Sequence, residues 1–144
     1  MKCLKKKLAE FRRKNLGFIF QEFNLLEILT VRENIAVALT INRENPLIIN
    51  ERINKLCKKL DILDILDKYP TEISGGQRQR VACARAMITL PSIILADEPT
   101  GSLDSNMASV FMDTLQKINN EDNTTILMVT HDPFCASYAN YLAP

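Results

Sequence analysis

The sequence runs to 144 residues, 47% of them hydrophobic and 24% charged, with a formal net charge of +1. That is enough chain for one modest core and too little for two ordinary domains. No apolar run approaches the roughly 18 to 20 residues that cross a bilayer, no solenoid-type repeat recurs, and glycine and proline are too sparse for a disordered chain.

The first 16 residues carry seven Lys/Arg against one acid, Glu10. They lack the apolar stretch and small-residue cleavage site of a secretion signal. A basic opening of this kind can meet phosphate or an anionic membrane surface. Leu4, Leu8 and Phe11 recur within it at helical spacing, so the favoured reading is a solvated amphipathic helix. Cys3, Cys57, Cys83 and Cys135 are scattered and form no CxxC pair, which fits reduced thiols rather than disulfides. With one histidine and no ligand cluster, a zinc site is not expected.

Residues 16–21, LGFIFQ, read as a short strand. Thr30 with Glu33 makes a capping box for a helix from Val31 to about Leu39. Pro46 interrupts, and Asn50 is placed to cap a second helix with Ile53, Leu56, Leu60 and Leu63 on its apolar side. Ile62, Ile65 and Leu66 lead to KYPTE, where Pro70 ends the helical pattern. Residues 31–70 therefore form a helical layer without strands. Ser74 and Gln77 bracket Gly75 and Gly76 in another capping box, opening a helix to about Leu90, before Pro91.

SIILA is the second strand, too short and apolar for a surface helix. Asp104 or Ser105 starts a helix with Val110, Phe111, Leu115 and Ile118 on one face. TTILMVT, residues 124–130, is a third strand, expected to be buried on both faces. Asp132 and Pro133 begin a last helix. Near-continuous apolar strands alternating with helices point to an α/β fold with a parallel sheet. In such sheets ligands collect at the carboxyl ends of the strands. Gln21, Asp97, Glu98 and His131 are all placed just past a strand end.

The chemistry at these ends has two readings for each piece. An apolar strand ending in Asp97 suits a site holding Mg²⁺ and phosphate, with Glu98 as general base for a water. Alternatively, both carboxylates merely cap the turn before Pro99. ISGGQ places two glycines at a helix N-terminus, where free N–H groups and the helix dipole favour an anion. The plain alternative is a capping box with glycines for a turn. His131 alone reads as readily as a strand-end histidine as a catalytic one.

Taken together, FIFQ, ISGGQ, ILADEPTGSLD and VTHD, in this order, resemble the nucleotide-binding subunit of ABC transporters over essentially the whole chain. FIFQEFNLLEILTVREN and DEPTGSLD are most similar to the branch serving lipoprotein release, macrolide export and bacitracin-type peptide resistance. The resemblance implies a partial P-loop NTPase core with a helical signature subdomain: residues 1–30 as core strand and Q-loop, 31–90 as helical subdomain, and 91–144 as the rest of the core. It implies ATP and Mg²⁺ as cofactors, with Asp97 and Gln21 at the metal. Glu98 would be the catalytic base, Gln21 the γ-phosphate sensor and His131 the switch histidine. Ser74, Gly75, Gly76 and Gln77 would be the signature loop, which presses on ATP of the opposite subunit, and Ser102, Leu103 and Asp104 the D-loop. Ile73 stands where leucine is commoner. Phe23 to Leu29 would line a groove receiving a transmembrane permease.

One piece of that pattern is missing from these residues. There is no G-x-x-x-x-G-K-S/T, and no Gly-Lys pair anywhere. The backbone cradle and lysine that hold β- and γ-phosphates are therefore not here, nor is the aromatic that stacks on adenine. The expectation is an internal portion of an ATPase subunit, truncated at both ends and inactive alone. It would sit on the cytoplasmic face of the membrane with a second ATP-binding subunit and a permease, and without nucleic acid. The alternatives are a non-catalytic truncated protein docking on a transporter, or a non-transport ABC ATPase acting on DNA or ribosomes.

Overall fold

The computed structural model describes residues 2–143, with side chains from Leu4 onward. Three strands, β1 (Leu16–Phe20), β2 (Ile93–Asp97) and β3 (Thr125–Val129), form one sheet in the order β1-β2-β3. Both pairings are parallel, and Phe20, Asp97 and Val129 stand side by side at the carboxyl edge. Parallel neighbours need crossovers. The first is the helical layer between β1 and β2, and the second a single helix between β2 and β3. The α/β class with a parallel sheet is as the sequence implied.

Helix α1 (Lys2–Asn15) precedes β1. Its basic last turn, Arg12, Arg13 and Lys14, suits the negative end of the helix dipole. Its apolar stripe, Leu4, Leu8 and Phe11, is exposed. Helix α2 (Val31–Ile41) starts at the expected box: Thr30 Oγ1 accepts from Glu33 N at 3.2 Å, and Glu33 Oε2 accepts from Thr30 N at 2.8 Å.

Helix α3 (Pro46–Lys59) corrects the sequence reading. Asn45, not Asn50, is the cap, accepting from Leu47 N at 2.9 Å. Pro46 does not interrupt; it occupies the first turn, where a missing N–H costs nothing. Ile49, Ile53 and Cys57 then form the buried stripe. The helix stops at Lys59 because Asp61 turns left-handed, with φ 56°. Leu60 is therefore a buried cap residue and Leu63 a half-exposed member of the short turn Leu63–Ile65. Pro70 likewise opens a turn, Pro70–Glu72, rather than only ending one.

Helix α4 (Gly75–Met87) ends before Leu90. Leu90 is left-handed, φ 54°, which turns the chain off the helix axis before Pro91. Helix α5 (Ser105–Asp122) is capped by Asp104 and closed by left-handed Asn123. Its buried face is Ala108, Phe111, Met112, Leu115 and Ile118; Val110, expected there, is exposed. Asp132 and Pro133 open α6 (Pro133–Ala136) as expected.

Helix α4 packs on β1, α2 on α4, and α5 on α4 and β3. Gly17, Ile19, Ile94 and Ala96 face this layer and are buried. The opposite sheet face shows Phe18, Phe20, Leu127 and Val129, with Val129 59% exposed. β3 is therefore not buried on both faces among the described residues. It is one of the two edge strands, and only its α5 side is partly covered.

The described cysteines are free and buried; Cys3, also expected to be a reduced thiol, has its side chain outside the described residues. Burial pushes the Cys57 thiol up to about 11 and Cys83 to about 12. Thiolates are the reactive species. We therefore expect neither residue to be alkylated by iodoacetamide at neutral pH in the native protein, and both to be labelled once it is unfolded. Peptide mass spectrometry reads the two sites separately, and native labelling at either would contradict its burial.

Candidate functional site at the strand ends

Asp97 is the last residue of β2 itself rather than the residue after it. The central strand holds it between Phe20 and Val129, with its side chain exposed at the sheet edge. Glu98 then takes a left-handed conformation, φ 43°, unusual for a residue with a side chain. Its N–H still donates to Val129 O at 2.8 Å, and Gly101 N closes the turn on Glu98 O at 3.0 Å.

That turn folds the Glu98 carboxylate onto the end of β3. Its Oε1 accepts from His131 N at 2.9 Å and its Oε2 from the Thr130 hydroxyl at 3.2 Å. Thr130 Oγ1 itself accepts from Asp132 N at 3.1 Å, so its own proton is directed to Glu98. Thr130 was not singled out from sequence; its signal was a hydroxyl residue between a strand and its terminal histidine. The His131 ring stands 3.8 Å from Glu98 Oε1, too far for a hydrogen bond, and is 96% exposed.

Gln21 follows β1 directly. Its carbonyl accepts from the Ser102 hydroxyl at 2.9 Å. Its side chain crosses Gly101, where an added Cβ would lie 2.7 Å from Gln21 Nε2. The glycine gives the Gln21 side chain room to lie here, and a methyl at position 101 would push that side chain aside. The next residues, Phe23 (φ 61°) and Asn24 (φ 49°), are both left-handed. Arg85 of α4 holds their carbonyls, at 2.8 Å and 2.5 Å respectively. Asn34, buried in α2, exchanges hydrogen bonds with Leu26 N and O and also donates to the Leu29 and Thr30 carbonyls. Together they fix a loop that exposes Leu26 and Ile28. Sequence reading missed both Arg85 and Asn34, whose roles depend on residues far along the chain or on a loop geometry no motif encodes.

The second group lies at the start of α4. Ser74 Oγ accepts from Gln77 N at 3.2 Å, and Gln77 Oε1 accepts from Ser74 N at 2.9 Å. The box still leaves the Ser74 hydroxyl proton and the Gln77 NH₂ to donate. It also leaves the Gly75 and Gly76 N–H groups without an acceptor among the described residues. Nothing lies within 4 Å of a Cβ built on Gly75. This is an open set of donors, suited to an anion. Asp104 instead spends a carboxylate oxygen on Met107 N at 2.9 Å as the α5 cap.

The strand-end residues and the α4 residues are two groups. Hydrogen bonds among the described residues join Gln21 to Ser102, and Glu98 to Thr130 and His131, but neither set to Ser74, Gly75, Gly76 or Gln77. No cluster of three or more His, Cys, Asp or Glu side chains able to hold a metal occurs among the described residues. Asp97 and Gln21 are hard oxygen donors of the kind Mg²⁺ takes when phosphates and waters complete its shell. The donor set therefore fits a nucleotide-borne ion.

A family model described as ABC transporter matches residues 2–101. The chain belongs to the ABC transporter family. It is 56% identical over 132 residues to the ABC transporter ATP-binding protein YxdL of Bacillus subtilis, covering 92% of this chain and 51% of that protein. It is 54% identical over 135 residues to the bacitracin export ATP-binding protein BceA of Halalkalibacterium halodurans, covering 94% of this chain and 53% of that one. The dimeric structure of MJ0796, a bacterial ABC transporter cassette, superposes with a TM-score of 0.80 at 39% identity, covering 92% of this chain and 59% of the other. A second MJ0796 structure, a post-hydrolysis state bound to ADP and Pi, superposes equally well, at 0.80 and 38% identity over the same shares. This ABC transporter chain spans about half the length of the curated relatives it matches. The bacitracin name agrees with the branch that FIFQEFNLLEILTVREN and DEPTGSLD resemble.

Proposed function

We propose that this ABC transporter chain carries the hydrolytic residues and signature of an ATP-binding subunit that powers transport. The observation that carries this reading is the convergence of Gln21, Asp97, Glu98 and His131 at the carboxyl ends of three adjacent parallel strands. The relatives' printed names and the ADP and Pi in one cassette structure support it.

In this reading Asp97 and Gln21 hold Mg²⁺, which offsets phosphate charge when bound. Glu98 accepts the proton of the attacking water. An ionised carboxylate has about four lone-pair sites, and the bonds from Thr130 and His131 leave others for that water. His131, exposed and unbonded through its ring, is free to donate to the γ-phosphate. Ser74, Gly75, Gly76 and Gln77 offer donors to ATP held by a second ATP-binding subunit, with Ser102 and Asp104 at the junction. Residues 31–90 form the helical subdomain between core segments 1–30 and 91–144. The fixed loop from Phe23 to Leu29, with Leu26 and Ile28 exposed, faces a transmembrane permease. Among the described residues no helix is long and apolar enough to cross a membrane. The subunit would be peripheral on the cytoplasmic face.

The phosphate loop this chemistry needs is not among these 144 residues. We expect it to be supplied by sequence outside them. The test is the intact mass of the native polypeptide, followed by Mg²⁺-dependent ATPase assays of that polypeptide and of residues 1–144 alone. A larger, active native protein and an inactive 144-residue chain support the reading. Turnover by residues 1–144 alone would refute the need for a phosphate loop. A native mass matching 16.3 kDa without turnover would favour a non-catalytic docking protein instead.

A further inference from the structure

Gln79, in the second turn of α4, is completely buried. Its Nε2 donates to the carbonyl of Pro99, and its Oε1 has no partner among the described residues. The orientation of the amide is forced, since the opposite flip would set two acceptors face to face. A buried amide whose oxygen is unpartnered is a poor choice for stability, and an apolar side chain of similar shape would fill the space without that cost.

What the amide does is grip the turn that carries Glu98. Pro99 has no N–H, so its carbonyl is the residue's only backbone handle. Holding it fixes the Pro99–Thr100 peptide plane in the middle of the turn that Gly101 N closes on the Glu98 carbonyl, and so limits the left-handed Glu98 backbone at the start of that turn. A second contact flanks the first. A Cβ on Gly76 would lie 2.9 Å from Met107 Sδ, so the Met107 side chain of α5 lies over the first turn of α4. The Glu98 turn, through Pro99, and the helix that follows it, through Met107, are therefore both in contact with the helix that opens with Ser74 and the two glycines.

We propose that Gln79 is a positioning residue that locks the Pro99 carbonyl, and through it the Glu98 turn, to the signature helix. This rests on the proposed ATPase function. A ligand drawn to the Gly75 and Gly76 N–H groups then constrains the placement of Glu98 in the same chain. The occupant of one composite site thereby affects the catalytic base of the other.

The test compares the intact protein with its Gln79→Met variant by hydrogen–deuterium exchange and by ATPase kinetics. Exchange in peptides spanning residues 97–103, which contain the Gly101 and Leu103 turn hydrogen bonds, should quicken about tenfold while the thermal midpoint holds or rises. Turnover should fall by about ten- to a hundredfold with KM for ATP unchanged, the scale of a misplaced reacting group. Unaltered exchange in 97–103 overturns the proposal. So does faster exchange throughout the protein with a parallel loss of stability, which would make Gln79 an ordinary core residue. If Gln79→Met fails to fold, Gln79→Asn, one methylene shorter, breaks the same bond and is judged by the same readings. A wild type without ATPase activity would refute the proposed function, and the exchange result would still decide the linkage.

Discussion

Replacing Glu98 by glutamine is expected to stop ATP turnover in the intact protein while leaving nucleotide binding in place. The substitution keeps the side chain's shape. One amide oxygen still accepts from His131 N, and the new NH₂ can donate to Thr130 Oγ1, which holds one hydrogen bond as acceptor already and has room for a second. The turn should therefore persist, and only the ability to take a proton from water is lost. A positioned general base is worth about 10² to 10⁴ in rate, and the loss should fall in that range. Because bound ATP is then not consumed, the two-subunit ATP-bound state should accumulate, visible as a dimer by size-exclusion chromatography with ATP and Mg²⁺. Turnover equal to the wild type would remove Glu98 from the role of base. Loss of nucleotide binding would instead mean that the carboxylate is structural, holding β2 to the end of β3.

Features set by adjacent residues were legible in the sequence. The capping boxes at Thr30 and Ser74, the three strands and the cap at Asp104 each depend on residues a few positions apart. The errors share a cause. Asn50 looked like a cap because Pro46 looked like a break, whereas Asn45 and Pro46 form the helix start together. Val110 and Met112 differ by two positions on α5, and only packing against α4 and β3 decides which side is buried. β3 has the composition of a fully buried strand, but its burial depends on neighbours that composition does not specify. The site divides in the same way. Gln21, Asp97, Glu98 and His131 could be placed because strand ends collect ligands. Thr130 gripping Glu98, Arg85 gripping Phe23 and Asn24, and Gln79 gripping Pro99 join residues 20 to 62 positions apart. Their side chains match no short motif, and only the fold brings the partners together.

Gly17→Ala should be the most damaging small substitution in the fold. A Cβ at that position would lie 2.4 Å from the Ala86 carbonyl oxygen, 3.1 Å from its carbon and 3.3 Å from the Ala86 Cβ. The obstacle is helix backbone, which cannot rotate aside as a side-chain tip does. Either β1 or α4 must move, and both are held: β1 by its ladder to β2, α4 by its packing on α2 and α5. Moving α4 would loosen buried Ile19 and disturb Arg85, whose two bonds keep Phe23 and Asn24 left-handed. Overpacking of this kind costs about 1 to 3 kcal/mol, and in a protein of this size each kcal/mol lowers the melting temperature by roughly 4 °C. Gly75→Ala is the matched control. It has open space around the added methyl, so its midpoint should stay within about two degrees of wild type, since surface changes rarely exceed about 0.5 kcal/mol. Any functional loss in that variant would come from the approach of a ligand to the signature N–H groups, not from instability. Thermal denaturation of the two variants beside the wild type separates the cases. A Gly17→Ala midpoint equal to that of Gly75→Ala would mean that α4 does not lie on β1 as closely as the structure has it.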